Sequence, residues 1–102
     1  MLEELRKIKK SLEREGLHKL VLFGSRARGD AEDNSDWDFL VLVSHNDRCF
    51  DDMFDRYGWP LIKCGMEHDE DISVHLYSLD EWESYRDSSL LYYNVVKEGV
   101  EI

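Results

Sequence analysis

The stretch Gly24-Ser-Arg-Ala-Arg-Gly29-Asp-Ala-Glu-Asp-Asn-Ser-Asp-Trp-Asp38 decides the fold of this chain. It lies between two apolar runs, Leu-Val-Leu-Phe at residues 20–23 and Phe-Leu-Val-Leu-Val at residues 39–43. Short apolar runs bounded by turn residues predict buried strands. We therefore predict a strand, a tight turn into a short helix, and a second strand that begins with two aspartates.

The turn is predicted to bind an anion. Ser25 suits the N-cap of the short helix, where the first-turn amides point outward without partners. Arg26 and Arg28 fall in that first turn, where cations oppose the helix dipole, so a bound phosphate group explains them better than helix stability does. The alternative is that both arginines form surface ion pairs with neighbouring acidic residues.

The two aspartates are predicted to bind metal. Asp36 and Asp38 are two residues apart on a strand and so share a face, while Trp37 points to the other face. Two close carboxylates together with substrate phosphates are the ligands that Mg²⁺ prefers, and two such ions about 3.5–4 Å apart can clamp a phosphoryl transfer. The alternative is a solvated strand entrance. An EF-hand loop from Asp30 is excluded because its twelfth position is Val41, and the chain contains no Walker P-loop string.

The string Gly24-Ser25-x-Ala27-Arg28-Gly29, followed by Ser35-Asp36-x-Asp38, resembles the signature of the minimal nucleotidyltransferase (MNT) family of the DNA polymerase β superfamily. The resemblance implies a mixed α/β (α+β) architecture, the polymerase β-like nucleotidyltransferase fold. The expected mixed sheet is backed by helices in one domain over residues 1–102. The resemblance further implies that Ser25 and the turn amides hold the β- and γ-phosphates and that Asp36 and Asp38 hold Mg²⁺. The implied reaction transfers a nucleoside monophosphate, most simply AMP from ATP, to a hydroxyl acceptor on a protein or small molecule.

One position departs from the family pattern. The family carries a third carboxylate on a later strand, and Ser73 occupies the matching position here. Asp71 lies two residues earlier, one pleat repeat or roughly 6.6 Å away along the same face. We interpret Asp71 as the candidate replacement, with catalytic transfer depending on whether it reaches the site.

The resemblance also implies a protein partner. Small MNT domains are paired with helical HEPN proteins in what look like toxin–antitoxin systems, so the alternative function is a catalytically weak, nucleotide-binding regulatory or antitoxin subunit. Because larger relatives carry a further helical domain for the acceptor, a HEPN-like partner or a homodimer mate is expected to supply that surface.

Composition limits the other partners. The net charge is −10, and the one basic cluster, within residues 6–14, lies on an amphipathic helix, which argues against a nucleic-acid polymer as the main partner. The sequence has no apolar run of membrane-spanning length and no signal-peptide core at its start, so we expect a cytoplasmic protein.

Cys49 and Cys64 are expected to be reduced, structural thiols. The four histidines are scattered along the chain and are interpreted as ordinary residues, with a contact between His75 and the site as the alternative.

The remaining elements follow from periodicity and capping residues. We predict strands at 18–24, 37–44 and 71–78, and helices at 2–15, 25–30 and 47–57. The helix at 47–57 is predicted to end near Gly58, before a loop through Pro60. A further helix starts at residue 79, and a last helix, capped by Ser88 or Ser89, ends at Gly99. The last helix carries more apolar residues than one face needs, which indicates either a well-wrapped core or a docking surface.

Overall fold

A mixed sheet forms the centre of the protein. The computed structural model describes residues 1–44 and 50–102 of the chain. Within them the strands are β1 (Leu17–Phe23), β2 (Trp37–Val43), β3 (Ile72–Ser78) and β4 (Val100–Glu101). Their order across the sheet is β3-β2-β1-β4. β1 pairs antiparallel with β2 and β4, whereas β2 and β3 run parallel. The predicted mixed sheet backed by helices is confirmed.

Helices cover both faces of this sheet. They are α1 (Leu2–Glu13), α2 (Ser25–Arg28), α3 (Phe50–Met53), a π-helical turn at Phe54–Gly58, α4 (Trp59–Glu67), α5 (Leu79–Ser84) and α6 (Leu90–Glu98). The α3–α4 run connects β2 to the parallel strand β3, as a crossover between parallel strands must.

The first face of the sheet carries the larger core. Alternate residues of the central strands, such as Leu20, Phe39 and Val41, are fully buried there against Leu5 of α1 and Leu61 of α4. Trp37 packs against this same cluster. Because successive strand residues point to opposite faces, Asp38 points to the other face of the sheet.

The second face is covered by α5 and α6. Val21, Phe23, Leu40 and Leu42 pack there with Trp82 and Val95, and Tyr77, Leu79, Leu91 and Tyr92 surround that cluster. α5 begins with a capping box in which Ser78 and Glu81 bond each other's backbone amides, and Ser89 caps α6 by accepting from the amide of Tyr92 at 3.2 Å. The predicted cap and end of the last helix are confirmed.

The apolar residues of α6 are divided between buried and exposed positions. Val95 is buried in the core, whereas Leu90, Tyr93 and Val96 are exposed. The helix therefore both closes the second face of the sheet and presents an apolar stripe outward.

The predicted break at Gly58 and Pro60 is wrong. The backbone stays helical from Phe50 to Glu67, because proline is tolerated in the first turn of a helix and the π-helical turn leads directly into α4. Gly58 is buried, and a β-carbon there would lie 3.1 Å from Phe54 and 3.3 Å from Val74. This glycine permits close packing and does not end the helix.

The other predicted boundaries differ from the structure by one or two residues, as helix and strand ends commonly do. Cys64 is a buried free thiol, as predicted, whereas Cys49 and the beginning of the predicted helix at 47–57 lie outside the described residues. No helix of the described residues is both long and apolar enough to cross a membrane.

Candidate active site

The turn after β1 lies directly against the beginning of β2. The register pairs Phe23, the last residue of β1, with Asp38, so the turn that follows faces the aspartate. Gly24 adopts φ +79° and ψ −160°, and a β-carbon on it would lie 2.6 Å from Asp38 Oδ2. Residues that carry a β-carbon rarely adopt this backbone conformation. The Asp38 carboxylate also occupies the space that a β-carbon would need. Only glycine allows the backbone turn and the carboxylate to come this close.

Gly24, and not Ser25, is the N-cap of α2. Its carbonyl accepts from the amides of Ala27 and Arg28, each at 3.0 Å, and Ser25 is the first residue of the helix. The predicted N-cap at Ser25 is therefore wrong, because the positive φ that ends β1 falls one residue earlier. Gly29 ends the helix in the left-handed conformation, with its amide bonded to the carbonyl of Ser25.

The two aspartates lie together at the beginning of β2. Asp38 is the second residue of the strand and partly buried, and Asp36 immediately precedes the strand and is exposed. Burial is the main cause that raises the pKa of Asp38; His75 opposes this effect, and the Asp36 carboxylate raises the pKa further. Two carboxylates whose charges disfavour each other form a donor set that suits a divalent cation.

β3 brings Ser73 and His75 to the same face as Asp38. Ser73 is the register partner of Asp38 across the parallel pair, and His75 Nε2 lies 3.8 Å from Asp38 Oδ1. The His75 ring also packs edge-on against Phe23, with ring centroids 5.1 Å apart. The strand next to the aspartates therefore contributes a hydroxyl and an imidazole to this face of the sheet.

Asp71 precedes β3 and is exposed. Its carbonyl accepts from the amide of Trp37 at 2.9 Å, so its backbone joins the beginning of β2. Across residues 1–44 and 50–102, no three His, Cys, Asp or Glu side chains are grouped closely enough to hold a metal ion. Asp36, Asp38 and Asp71 thus form no ready-made metal site of three carboxylates in the free protein.

Arg26 holds the acidic loop in place. Its guanidinium lies 4.7 Å from the ring centroid of Trp37 and donates to the carbonyls of Asp33, at 3.2 Å, and Ser35, at 3.0 Å. Glu70 accepts from the Trp37 indole at 3.0 Å and lies 3.7 Å from the guanidinium. This arginine was predicted to bind nucleotide, and in the free protein its contacts order the loop that leads into Asp36.

Arg28 contacts two carboxylates. Its Nη1 donates to both oxygens of Glu98 at 3.1 Å, and its Nε donates to Asp30 at 3.2 Å. These bonds, the Glu98 bond first, raise the pKa of the guanidinium. Glu98 Oε1 also accepts from the amide of Gly24 at 3.1 Å. An acidic side chain of α6 therefore occupies donors of the predicted anion site.

Sequence reasoning missed Glu98 and gave His75 little weight. Glu98 is 74 positions from Gly24, and a glutamate at the end of an ordinary amphipathic helix carries no local signal. His75 could have been found from the alternation of β3, since it shares a face with Ser73. Trp37 and Glu70 were likewise not recognised as supports for Arg26.

Comparison with known proteins shows the fold and the family of the chain. Two solved structures have the same fold. One, described as a toxin–antitoxin with AMP-PNP, gives a TM-score of 0.58 at 25% identity over 93% of this chain and 69% of that chain. The other, a mutant of the toxin–antitoxin MntA-HpeT, gives a TM-score of 0.61 at 25% identity over 97% of this chain and 69% of that chain. No curated protein sequence matches the chain significantly. Residues 6–102 match the family model described as polymerase beta, nucleotidyltransferase, so the chain belongs to the polymerase beta nucleotidyltransferase family.

Proposed function

We propose that this protein is a Mg²⁺-dependent nucleotidyltransferase that transfers a nucleoside monophosphate, AMP from ATP, to a hydroxyl group of a protein or small molecule. The observation that carries the proposal is the contact between the Gly24 turn and Asp38, where a β-carbon would lie 2.6 Å from the carboxylate. A turn that offers backbone amides beside a carboxylate pair suits the phosphates and the metal of one Mg-nucleotide.

Asp36 and Asp38 are the residues that would hold Mg²⁺. Burial first, and the Asp36 carboxylate in addition, raise the pKa of Asp38, and a bound cation would offset the cost of both. Mg²⁺ is commonly held by one or two carboxylates and completed by water and substrate phosphates, so a pair of aspartates suffices as its protein ligands. When bound, the metal supplies charge stabilisation to the phosphates.

The transfer forms a bond between the acceptor oxygen and the α-phosphorus and breaks the bond from that phosphorus to the oxygen bridging the β-phosphate. Pyrophosphate leaves with the bond electrons, and the acceptor proton passes to a base. We propose Asp71 as the third carboxylate that takes this proton. Catalytic contacts commonly tighten only in the substrate complex, so its exposed position in the free protein is compatible with the role.

A second function is a catalytically weak, nucleotide-binding antitoxin or regulatory subunit that acts with a helical HEPN-type partner. Two observations favour it. Ser73, not a carboxylate, is the register partner of Asp38. The two solved structures compared above are described as toxin–antitoxin proteins, one with AMP-PNP and the other with two aspartates, two positions apart, replaced by glutamate. That spacing equals the spacing of Asp36 and Asp38.

Calorimetric titration with Mg-ATP tests the shared part of both functions. Asp36→Asn and Asp38→Asn each remove a metal ligand and should weaken Mg-ATP binding at least tenfold, or about 1.4 kcal/mol. Asp33→Asn is the matched control, because it removes an equal charge from the same exposed loop without touching the pair. Unchanged affinity in both test variants, with the fold retained, would refute the metal assignment.

Transfer of label from ATP then separates the two functions. Wild-type protein, Mg²⁺ and labelled ATP are incubated with a lysate or with a candidate HEPN-type partner, and label is followed into protein and small molecules. Incorporation that requires Asp38 supports the enzyme. Tight Mg-ATP binding without incorporation in any mixture supports the regulatory subunit.

A further inference from the structure

The carboxylate of Glu98 lies on the donors that the proposed nucleotide site would present. It accepts from the Gly24 amide at 3.1 Å and from Arg28 Nη1 at 3.1 Å through each oxygen. These donors belong to the turn that the sequence predicts to bind phosphate. A negatively charged side chain of the same chain occupies them.

Without these contacts, a negative charge at position 98 would be electrostatically unfavourable. Glu98 is the last residue of α6, where the helix dipole disfavours negative charge, and the protein has a net charge of −10. Its side chain is nonetheless only 17% exposed. The amide and guanidinium donors are therefore what hold a carboxylate here, as they would hold a phosphate oxygen.

An amide can give its one proton to only one strong acceptor at a time. A triphosphate oxygen on Gly24 would have to displace Glu98, and the two anions would repel each other if both stayed. Rotation about the side-chain bonds of Glu98 would free these donors, since among the described residues of α6 only Glu98 accepts a hydrogen bond from them.

We propose that Glu98 is an autoinhibitory residue whose carboxylate fills the phosphate cradle formed by Gly24 and Arg28 and must leave when a nucleoside triphosphate binds. The proposal rests on the nucleotide site proposed above and adds its regulation. Nucleotide binds only the molecules in which the Glu98 contact is open. The apparent affinity is therefore the intrinsic affinity multiplied by the open fraction. If the contact is formed in about four-fifths of the molecules, removing it tightens binding about fivefold.

The test is calorimetric titration of Mg-ATP into wild type, Glu98→Gln and Glu98→Ala. Both variants remove the competing charge, and the glutamine variant keeps the size of the side chain should the alanine variant fail to fold. We expect about fivefold tighter binding in each folded variant. Asp30→Asn is the matched control, because Asp30 also bonds Arg28 but is 62% exposed and does not contact the Gly24 amide. Its effect on affinity should be clearly smaller.

A second measurement follows the amide directly. In the ¹⁵N-correlated spectrum without nucleotide, Glu98→Gln should shift the Gly24 amide proton upfield, because a charge-assisted bond is lost. Addition of Mg-ATP should then bring wild type and variant to similar Gly24 shifts. Persistent dissimilar shifts at saturation would show that Glu98 stays in place and would overturn the proposal.

Failure of this inference is distinguishable from failure of the proposed function. If wild type binds Mg-ATP and Glu98→Gln binds with equal or lower affinity, Glu98 supports the site and the autoinhibitory role is refuted. If neither wild type nor any Glu98 variant binds a nucleoside triphosphate, the proposed function fails and the inference fails with it.

Discussion

Gly24 and Asp38 are in such close contact that a single added carbon on the glycine would lie 2.6 Å from the aspartate Oδ2. We expect Gly24→Ala to cost roughly 2–4 kcal/mol in free energy of unfolding, because a strained positive φ and overpacking against Asp38 add together. Mg-ATP binding should be lost with it. Urea unfolding and calorimetric titration measure the two effects.

Gly29→Ala is the control for the Gly24 substitution. Gly29 also has a positive φ, +87°, but a β-carbon there would meet no atom within 4 Å. It should therefore show only the conformational cost, about 1–2 kcal/mol, and keep its nucleotide affinity. Equal losses in the two variants would contradict a role for the close approach.

Arg26 should matter more for stability than Arg28. Arg26→Ala loses the Trp37 stacking contact and the bonds to the acidic loop, and its side chain is only 17% exposed, so we expect a loss of about 1–3 kcal/mol in urea unfolding. Amide exchange of residues 33–38 should accelerate. Arg28→Ala, whose side chain is 46% exposed, should destabilise less and leave that exchange unchanged. The reverse order would show that the loop does not depend on Arg26.

Asp38 should destabilise the metal-free protein at neutral pH. Its pKa in the folded protein is raised above the ordinary value of 3.8, so the folded state binds the proton more tightly than the unfolded state. Stability linked to this group is therefore present at low pH and is lost as pH rises through the raised pKa. Asp38→Asn should raise the melting temperature at pH 7 by a few degrees in the absence of divalent metal.

The pH series checks the sign of that effect. The gain from Asp38→Asn should shrink as pH falls through the raised pKa and should vanish well below 3.8, where the aspartate is protonated in both states. Excess Mg²⁺ with ATP should reverse the ranking, because only wild type can bind them tightly. A variant that melts lower than wild type at pH 7 without metal would contradict the assigned burial cost.

Substitutions at Asp71 and Ser73 test the proposed transfer reaction. If Asp71 acts as the base, Asp71→Asn should lower transfer by about 10²–10⁴-fold and leave Mg-ATP affinity nearly unchanged. Ser73→Asp introduces a carboxylate at the register partner of Asp38 and should restore transfer to the Asp71→Asn variant. Transfer that persists in Asp71→Asn would remove Asp71 from the reaction, and Ser73→Asp without added activity would show that β3 supplies no base.

The local features of this protein were readable from the sequence, and the long-range ones were not. The strand, glycine turn and aspartate pair were predicted because apolar runs, Gly24 and the spacing of Asp36 and Asp38 act within a few residues. The helix through Gly58 and Pro60 was missed because tertiary packing against Val74 outweighs the usual meaning of these residues. Ser25 was misplaced by one residue because an N-cap depends on where the backbone changes φ, which the sequence does not fix.

The partners of Arg26 and Arg28 show the same contrast between local features, which the sequence predicts, and long-range contacts, which it does not. A bound anion and a surface ion pair were both compatible with the sequence near Arg26 and Arg28. The structure gives each arginine a different environment: Arg26 supports the acidic loop and stacks on Trp37, and Arg28 meets Glu98 from the far end of the chain. No pattern within residues 24–38 could have indicated a contact that spans 70 positions.

The sheet order has a consequence for how the protein folds. β1 pairs with β2, about 20 positions further along, and with β4, about 80 positions further along, and closing the longer loop costs more entropy. We therefore expect the hairpin of β1 and β2 to form first and the two-residue strand β4 to dock last. The same order predicts that the C-terminal segment opens locally before the whole protein unfolds. The Ile102 amide donates to the carbonyl of Leu20. Its native-state hydrogen exchange should therefore be faster than that of the amides that join β1 and β2. An opening that also frays the end of α6 would carry Glu98 away from Gly24 while the turn and the aspartates stay assembled.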